Sequence, residues 1–542
     1  MLFLFIAANA GKIVAFNSML IQEGEAGFML RKVFMTLLLI GILYPLVFIT
    51  WSRALMFAAY ILQAFYIAAG ITFYLYFHTY LHLMQASALL SEVLSTAGNS
   101  AIQLDPRALI SILDLPFFLL FVCRIWRKPK PVKRERLVAL VVITASLLAF
   151  SISEAISYMN GRALSNLVND TYAGESSIVE RYGTIAANLV SLRQNGSGNQ
   201  LEKQLEYGGE QVFAATGPST PNFIIIQVES MDSAIVSRKY KGAYVVPFLH
   251  SLTKTAIYYP FVLSYHKGGG TSDSEFSILN SVEPLDCYPA LKLSNYSYPN
   301  SLLTRLKKSG YVALAFHGNK GSFYNRDIAF PRMGFTEFFD TAKTGLPENG
   351  WGLPDADMFT FASEKLHSVK QPFLAYVITM SSHEPFDSVG NYYTNSLFDD
   401  IQDKNVKNYF NSMNYVDRSL KNFISELQAG FGNTYFLITG DHAPNIEKEG
   451  YRQASFTLDN RFFEFVPLII ITPDGKTYSE TSRAASFLDM APTILKSSGT
   501  GNSIRTDGSN LINPGEKAGS IPYRGNSFDR TLLFKKALES LR

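Results

Sequence analysis

The sequence predicts a multi-pass α-helical membrane domain followed by an α/β domain, in which a mostly parallel sheet lies between helices as an αβα sandwich. Three observations predict this. Of the 542 residues 47% are hydrophobic, and the long apolar runs lie before residue 158. From about residue 160 onward, charge, Gly, Pro and Asn rise to the levels of a soluble domain. Short apolar runs of β-forming residues then recur between polar stretches.

Five stretches of the first half are predicted to cross a membrane, because a transmembrane helix needs roughly 20 mainly apolar residues. They cover residues 2–20, 33–51, 54–76, 108–123 and 137–157. Lys12 interrupts the first stretch and Asp114 lies in the fourth. Because further spans follow, the first stretch is interpreted as an anchor and not as a cleaved signal peptide.

A cluster of basic residues sets the predicted orientation of these spans. Seven Lys and Arg residues lie between positions 124 and 136, in the connection before the last span. By the positive-inside rule this connection is cytoplasmic, and the chain after residue 157 is extracytoplasmic. The stretch 77–107 is then also outside, where its apolar face indicates a helix on the bilayer surface. His78 and His82 lie there without a nearby carboxylate or Cys, which favours an interfacial anchor over a metal pair.

The chain is predicted to have four parts. Residues 158–220 are polar and then rich in Gly, Pro and Thr, which is typical of a stalk followed by a linker. The net charge of +3 gives no reason to propose nucleic acid as a partner, and two cysteines cannot form a disulfide framework. The predicted parts are a membrane domain at 1–157, a helical stalk and linker at 158–220, a catalytic domain at 221–520 and a tail at 521–542.

Polar groups follow the apolar runs that predict the sheet. The runs are Phe223–Val228, Tyr311–Phe316, Phe373–Thr379, Thr434–Thr439 and Phe465–Ile471. The first four are followed by Glu229, by His317 with Asn319, by His383 and by Asp441 with His442. Because ligands gather at the carboxyl ends of strands in open α/β sheets, these residues are predicted to share one site.

A glycine-rich stretch, Gly268-Gly269-Gly270-Thr271, precedes a helical pattern. A hydroxyl at such a helix start lies among unpaired N–H groups, where phosphate or sulfate binds readily. Thr271 is therefore predicted to be a nucleophile. The alternative is a helix cap, with Thr271 or Ser272 as N-cap and Glu275 as its capping-box partner.

The residue types indicate metal-assisted chemistry. Glu229, Asp441, His442 and the Thr271 oxygen form a mixed oxygen and nitrogen set that suits a divalent cation such as Mn²⁺ or Zn²⁺. Contact with a metal lowers the pKa of a hydroxyl and activates it as a nucleophile.

A second group of residues suits the binding of a phosphate ester. Arg326 is predicted to pair with the phosphate, and His317 and His383 to hold the departing and incoming hydroxyls or to donate to phosphate oxygens. Asn319 and Tyr324 are predicted to position the substrate.

Taken together, these motifs resemble those of lipoteichoic acid synthases, membrane phosphoglycerol transferases of the alkaline phosphatase/sulfatase superfamily. The resemblance rests on Glu229-Ser230, Gly-Gly-Thr271-Ser-Asp-Ser-Glu-Phe, His317-Gly-Asn-x-x-x-Phe-Tyr-Asn-Arg326-Asp, Ser-Ser-His383-x-Pro-Phe, Gly-Asp441-His442 and Asp489-Met-Ala-Pro-Thr493. It implies one Mn²⁺, with Mg²⁺ or Zn²⁺ as alternatives, held by Glu229, Thr271, Asp441 and His442. It also implies glycerophosphate binding by His317, Asn319, Tyr324, Arg326 and His383.

The resemblance further implies a phosphatidylglycerol donor and a covalently modified Thr271. A hydroxyl on a glycolipid, polymer or glycan then accepts the phosphoglycerol, outside the cell membrane of a bacterium. The chain has Gln227, Asn319 and Tyr324 where the best-known members have His, often Asp and usually Trp, so the headgroup or acceptor is open.

Three alternatives to phosphoglycerol transfer remain: a phosphoethanolamine transferase, a phosphodiesterase, or a non-catalytic envelope scaffold. A sulfatase is disfavoured, because Leu291 stands where its cysteine signature needs Arg.

Overall fold

The structure of the protein is a computed structural model. It describes residues 202–542 except 218, 219, 287, 294, 350, 351, 447–449, 460 and 513–518, and before them residues 12, 53–77, 112–125, 188 and scattered helical residues between 137 and 155. The chain divides into two compact units, Met1–Ser87 with Ile102–Gly196 and Ala88–Ala101 with Ser197–Arg542.

In the first unit, helix α1 spans Arg53–Phe77 and helix α2 spans Leu115–Ile125. Tyr60 stacks on Phe118 with ring centroids 3.7 Å apart. The two charges that interrupt predicted spans pair with each other, since Lys12 Nζ lies 2.6 Å from Asp114 Oδ1.

Helix α1 coincides with the third predicted span, and α2 covers the end of the fourth. Among the described residues, no helix reaches the combination of length and hydropathy that crossing a bilayer requires. The span at 33–51 and the surface helix with His78 and His82 lie outside the described residues, as do the first span apart from Lys12 and much of the fifth.

A ten-stranded sheet forms the centre of the second unit. The strands of this unit are β1 Glu210–Val212, β2 Asn222–Val228, β3 Lys239–Tyr240, β4 Ala243–Tyr244, β5 Ile257–Leu263, β6 Val312–His317, β7 Glu337–Phe339, β8 Phe373–Ile378, β9 Thr434–Gly440, β10 Ser455–Leu458, β11 Arg461–Ile471, β12 Tyr478–Ser479, β13 Ala485–Ser486, β14 Ser503–Arg505, β15 Ser520–Tyr523 and β16 Asn526–Asp529. The strand order of the sheet is β12-β5-β11-β9-β2-β8-β6-β7, with β10 paired to β11 and β13 to β5.

The centre of the sheet is parallel, as predicted. Strands β9, β2, β8, β6 and β7 are parallel neighbours, and four of them contain the predicted runs. The fifth predicted run lies in β11, which is antiparallel to both β9 and β5. Strand β5 was not among the predicted runs.

Helices cover both faces of the sheet, so the predicted αβα sandwich is confirmed. Along β2, Phe223 and Ile225 face one core while Ile224 and Ile226 face the other. The helices of this unit are α3 Pro247–Thr255, α4 Thr271–Asn280, α5 Leu302–Lys308, α6 Arg326–Met333, α7 Thr341–Thr344, α8 Asp355–His367, α9 Lys404–Gly430, α10 Met490–Ser498 and α11 Arg530–Ser540. The first face is covered by α4, α5, α6, α10 and α11, and the second face by α3, α8 and α9.

The end of the predicted linker packs onto this unit. Strand β1 pairs with β14, and Phe213 N donates to Asn502 O over 2.7 Å. The backbones approach closely at Gly208, where an added Cβ would lie 2.3 Å from the carbonyl carbon of Thr506. Only glycine fits this contact without displacing the chain.

A buried ion pair attaches helix α11 to the start of α10. Arg530 donates to both oxygens of Asp489 over 2.7 and 2.8 Å, and the two side chains are 3% and 0% exposed. Asp489 also accepts from Ser486 N and Ser509 N, which gives the Asp489-Met-Ala-Pro-Thr493 motif a structural role.

Arg530→Ala is expected to lower the free energy of unfolding of this unit by roughly 3–5 kcal/mol, because it leaves a buried carboxylate without its charged partner. Urea unfolding of the full chain, followed by circular dichroism, measures the change. Lys536→Ala is the control, because the Lys536–Glu539 pair is 43% and 62% exposed. Its effect should stay within about 0.5 kcal/mol. Equal effects of the two substitutions would contradict the assignment.

Candidate active site

The ends of two adjacent parallel strands bring three of the predicted metal ligands together. Val228 of β2 is paired with Gly440 of β9, so Glu229 and Asp441 leave the sheet side by side. Glu229, Asp441 and His442 each offer one ligand atom, and these atoms all lie within 4.8 Å of one another. The parallel pairing of β2 with β9 therefore brings Glu229 and Asp441 together, although they are far apart in sequence.

Thr271 is the first residue of helix α4, and its Oγ1 lies 3.4 Å from Glu229 Oε2. The preceding loop is folded by Asp273, whose Oδ2 accepts from Lys267 N and Gly269 N over 3.1 and 2.7 Å. The N-cap residue is Gly270, so no side chain caps the start of this helix. The capping-box alternative is therefore wrong, and the threonine hydroxyl is not used as a helix cap.

The backbone orients the ligand atoms. Asp441 Oδ1 accepts from Ser230 N and His442 N, each over 2.8 Å. Asp441 Oδ2 is buried and has no hydrogen-bond partner among the described residues. His442 Nδ1 lies 2.9 Å from Ala443 O and must donate to it, because a carbonyl only accepts. This leaves His442 Nε2, which lies 3.2 Å from Glu229 Oε1, as the ring nitrogen that would bind a cation once it has lost its proton.

The three groups perturb one another's protonation. Burial lowers the pKa of His442, but the carboxylates of Asp441 and Glu229 outweigh it and raise that pKa well above its ordinary value. Burial and the charge of Glu229 raise the pKa of Asp441 well above its ordinary value. Burial acts in the same sense on Glu229, but His442 outweighs it and lowers the pKa of Glu229.

These residues fit a divalent cation. Two buried carboxylates, one imidazole nitrogen and a hydroxyl supply the hard and borderline ligands that such ions prefer. Asp441 Oδ2 is the strongest single indication, since within the described part of the chain it has no hydrogen-bond partner and only a 3.7 Å contact with His442 Nε2, and a buried carboxylate oxygen without a hydrogen bond is costly. A cation at this point would satisfy it.

The two other predicted histidines lie at neighbouring strand ends. His317 ends β6 and is buried, with Nδ1 3.4 Å from Ile378 O. Burial and the nearby Arg326 lower the pKa of His317 well below its ordinary value, so the ring is neutral. His383 is half-buried, and its Nδ1 lies 2.7 Å from Glu384 O. In both rings Nδ1 therefore donates to a backbone carbonyl, and Nε2 takes no part in that hydrogen bond.

Arg326 has a protein partner that the sequence did not indicate. Its Nε and Nη2 donate to Glu275 at distances of 2.5–3.1 Å, and Nη1 donates to Phe323 O over 3.2 Å. The Arg326 and Glu275 side chains are 1% and 0% exposed. Three of the five guanidinium N–H groups are thus used within the protein. Among the described residues, one N–H on each terminal nitrogen has no acceptor within the protein.

The three positions that depart from the family pattern lie in different environments. The Arg326 guanidinium lies 5.6 Å from the centroid of the Tyr324 ring, and Tyr324 has a φ of 54°. Asn319 is half-buried and accepts from Lys320 N over 2.7 Å. Gln227 is fully buried in β2 and accepts from Tyr376 OH over 2.6 Å.

Two residues near the metal ligands were missed from the sequence. The His266 ring stacks on His442 with centroids 4.4 Å apart, and His266 Nδ1 lies 3.0 Å from Glu464 Oε1. His266 precedes the glycine loop, and that position was the only local signal for it. Glu464 lies inside β11 and carries no such signal.

A further missed residue supports the loop that carries His383. Asp355, the first residue of α8, accepts from Met380 N and Ser381 N over 2.7 and 3.1 Å. Burial raises the pKa of this carboxyl to about 7. The segment between β8 and His383 is therefore fixed by a carboxylate from another helix.

Comparison with known proteins agrees with this geometry. Residues 221–500 match the protein family described as Sulfatase. Lipoteichoic acid synthase 2 of Bacillus subtilis is 30% identical over 322 residues, which are 57% of this chain and 49% of that protein. Lipoteichoic acid synthase of Staphylococcus saprophyticus is 29% identical over 350 residues, 60% of this chain and 52% of that protein. The chain thus spans about half the length of the curated relatives it matches.

A solved structure extends the likeness in fold. The integral membrane protein lipooligosaccharide phosphoethanolamine transferase A from Neisseria meningitidis superposes with a TM-score of 0.58 at 16% identity, covering 91% of this chain and 95% of that one. The family match covers more than half of the chain and contains Glu229, Thr271, Asp441 and His442. The chain belongs to the Sulfatase family, within the alkaline phosphatase superfamily.

Proposed function

We propose that this chain is a membrane-anchored, divalent-metal-dependent phosphoglycerol transferase that moves glycerophosphate from phosphatidylglycerol to a hydroxyl acceptor through a covalent phospho-threonine. One observation carries the proposal. The Thr271 hydroxyl, at a helix start, lies 3.4 Å from a carboxylate of the Glu229, Asp441 and His442 cluster. The names of the relatives, lipoteichoic acid synthases, support the same reaction class.

Glu229, Asp441, His442 and Thr271 would hold the cation, for which we propose Mn²⁺, with Mg²⁺ and Zn²⁺ as alternatives. When bound, a divalent ion lowers the pKa of a hydroxyl and attracts the phosphoryl oxygens. The start of helix α4 also places the positive end of the helix dipole at Thr271.

The reaction then proceeds in two displacements. Thr271 Oγ1 gives up its proton and forms a bond to phosphorus, while the bond from phosphorus to the diacylglycerol oxygen breaks. That oxygen takes up one proton and leaves as diacylglycerol, so the number of protons is unchanged. An acceptor hydroxyl next attacks phosphorus, loses its proton and releases Thr271 with its hydroxyl restored. The charge of the phosphoryl group is balanced by Arg326, through the N–H groups that Glu275 and Phe323 leave available.

His317 and His383 are proposed to hold the departing and incoming hydroxyl groups. The neutral His317 ring, which donates from Nδ1 to Ile378 O, presents Nε2 as an acceptor, which suits a hydroxyl donor. The His383 ring donates from Nδ1 to Glu384 O, so Nε2 is the nitrogen proposed to face the other hydroxyl. Asn319 and Tyr324 are proposed to position the headgroup near Arg326. The acceptor is proposed to be a glycolipid, polymer or envelope glycan.

The apolar runs before residue 158 support attachment to the cell membrane, with the catalytic unit extracytoplasmic. A lipid donor requires such a position, because its acyl chains stay in the bilayer. A phosphoethanolamine transferase is the second candidate. The fold likeness to a phosphoethanolamine transferase over 91% of this chain favours it, and headgroup analysis separates the two.

Affinity for Mn²⁺ is expected to fall as the pH falls. The raised pKa values of His442 and Asp441 mean that the metal-free site holds protons, which metal binding must release. The loss is about tenfold per pH unit for each proton released. Calorimetric titration at several pH values, in buffers of different ionisation enthalpy, measures both quantities. Affinity independent of pH, or equal affinity in Asp441→Asn, would contradict the ligand set.

Thr271→Ala is expected to reduce diacylglycerol release from phosphatidylglycerol by at least about a thousandfold, because it removes the nucleophile. Circular dichroism should show an unchanged fold. Thr271→Ser is the matched control, since it retains a hydroxyl at the helix start and should keep measurable turnover. Wild-type turnover in Thr271→Ala would rule out the mechanism.

Phosphatidylglycerol labelled in its headgroup is expected to leave a phosphoglycerol mass on the peptide that contains Thr271. Mass spectrometry of the quenched wild-type protein and of Thr271→Ala tests this. Phosphatidylethanolamine labelled in the same way is the competing donor. A phosphoethanolamine mass, and none from phosphatidylglycerol, would favour the second candidate.

A further inference from the structure

We propose that Ser230 is a positioning residue of the cation site, and that its hydroxyl as well as its backbone is needed to hold the two metal carboxylates. This inference rests on the proposed function. Ser230 directly follows Glu229 and is 1% exposed. Its N–H donates to Asp441 Oδ1 over 2.8 Å, and its hydroxyl donates to Glu229 Oε1 over 3.1 Å. One residue thus contacts both carboxylates.

The backbone of Ser230 is held in a conformation that serines rarely adopt. Its φ is 55°, in the left-handed region that is unfavourable for residues with a Cβ and free of strain for glycine. The Ser230 carbonyl accepts from Tyr409 OH over 2.9 Å, which fixes the peptide from the other side. This turn directs the Ser230 N–H toward Asp441. Glycine would meet that requirement with less strain, so a serine here indicates a use for the side chain.

The hydroxyl helps to orient the Glu229 carboxylate. Oε1 accepts from the Ser230 hydroxyl and also lies 3.2 Å from His442 Nε2, while Oε2 lies 3.4 Å from Thr271 Oγ1. The Glu229 backbone is held as well, since its N–H donates to Thr379 Oγ1 over 2.9 Å and its carbonyl accepts from Ser382 Oγ over 2.5 Å. Groups around metal ligands that fix their orientation contribute to metal affinity.

The experiment is calorimetric titration of the full chain with Mn²⁺ alone, comparing wild type, Ser230→Ala and Ser230→Gly. Ser233→Ala is the matched control, because Ser233 is a buried serine nearby whose hydroxyl has no hydrogen-bond partner among the described residues. Both Ser230 variants are expected to bind Mn²⁺ about tenfold more weakly, and Ser233→Ala as tightly as wild type. Thermal unfolding without metal should show Ser230→Gly at least as stable as Ser230→Ala.

Weaker Mn²⁺ binding in a stable Ser230→Gly supports the role of the hydroxyl, because a merely structural serine would not produce it. Wild-type affinity in Ser230→Gly overturns the inference, since the N–H and the turn would then suffice. Glu229→Gln separates this outcome from a failure of the proposed function. If it binds Mn²⁺ as wild type does, the cation site is wrong and the inference is overturned with it. If it does not, the cation site stands and the Ser230 variants alone decide the inference.

Discussion

Glu229 and Asp441 are two carboxylates buried at adjacent strand ends, where their charges repel unless a proton or a cation lies between them. They are 3% and 0% exposed, and Asp441 Oδ2 has no hydrogen-bond partner among the described residues. Burial without a compensating charge is costly. The two carboxylates are buried together because they follow strands β2 and β9, which are parallel neighbours in the centre of the sheet. A requirement for positive charge is therefore built into the protein at the end of its central strands.

Helix α4 places the Thr271 hydroxyl and the partner of Arg326 next to these buried carboxylates. Its first residue, Thr271, faces the carboxylates, and Glu275, one turn later, holds Arg326. Residues four apart lie on one helix face, so the helix places the proposed nucleophile and the partner of the proposed phosphate-binding Arg326 on the same side. Asp273, on the same helix, folds the glycine loop that precedes it. One short helix thereby fixes the loop, the hydroxyl and the guanidinium relative to the sheet.

Strand β5 escaped prediction for a physical reason. Pro260 lies within β5, and a proline inside an apolar run argues against a central strand. Pro467 lies within β11, which is predicted as a strand but whose direction in the sheet the local sequence does not indicate. The structure accommodates both prolines at one irregularity, because the β5–β11 register shifts between Val466 and Leu468. A bulge tolerates the missing N–H donors, but its position depends on how two distant segments align. The local sequence does not specify how β5 and β11 align.

The four parallel strands that carry the candidate site, and the residue types at their ends, can be predicted from the amino-acid sequence. Short apolar runs bounded by breakers specify buried strands, and polar residues placed after them must collect at one edge. The partners of these residues depend on tertiary contacts. Glu275 binds Arg326 across 51 residues, His266 stacks on His442, and Ser230 contacts both carboxylates. Such contacts depend on the packing of a helix and loops against the sheet, and no local periodicity encodes the distance between side chains that far apart in sequence.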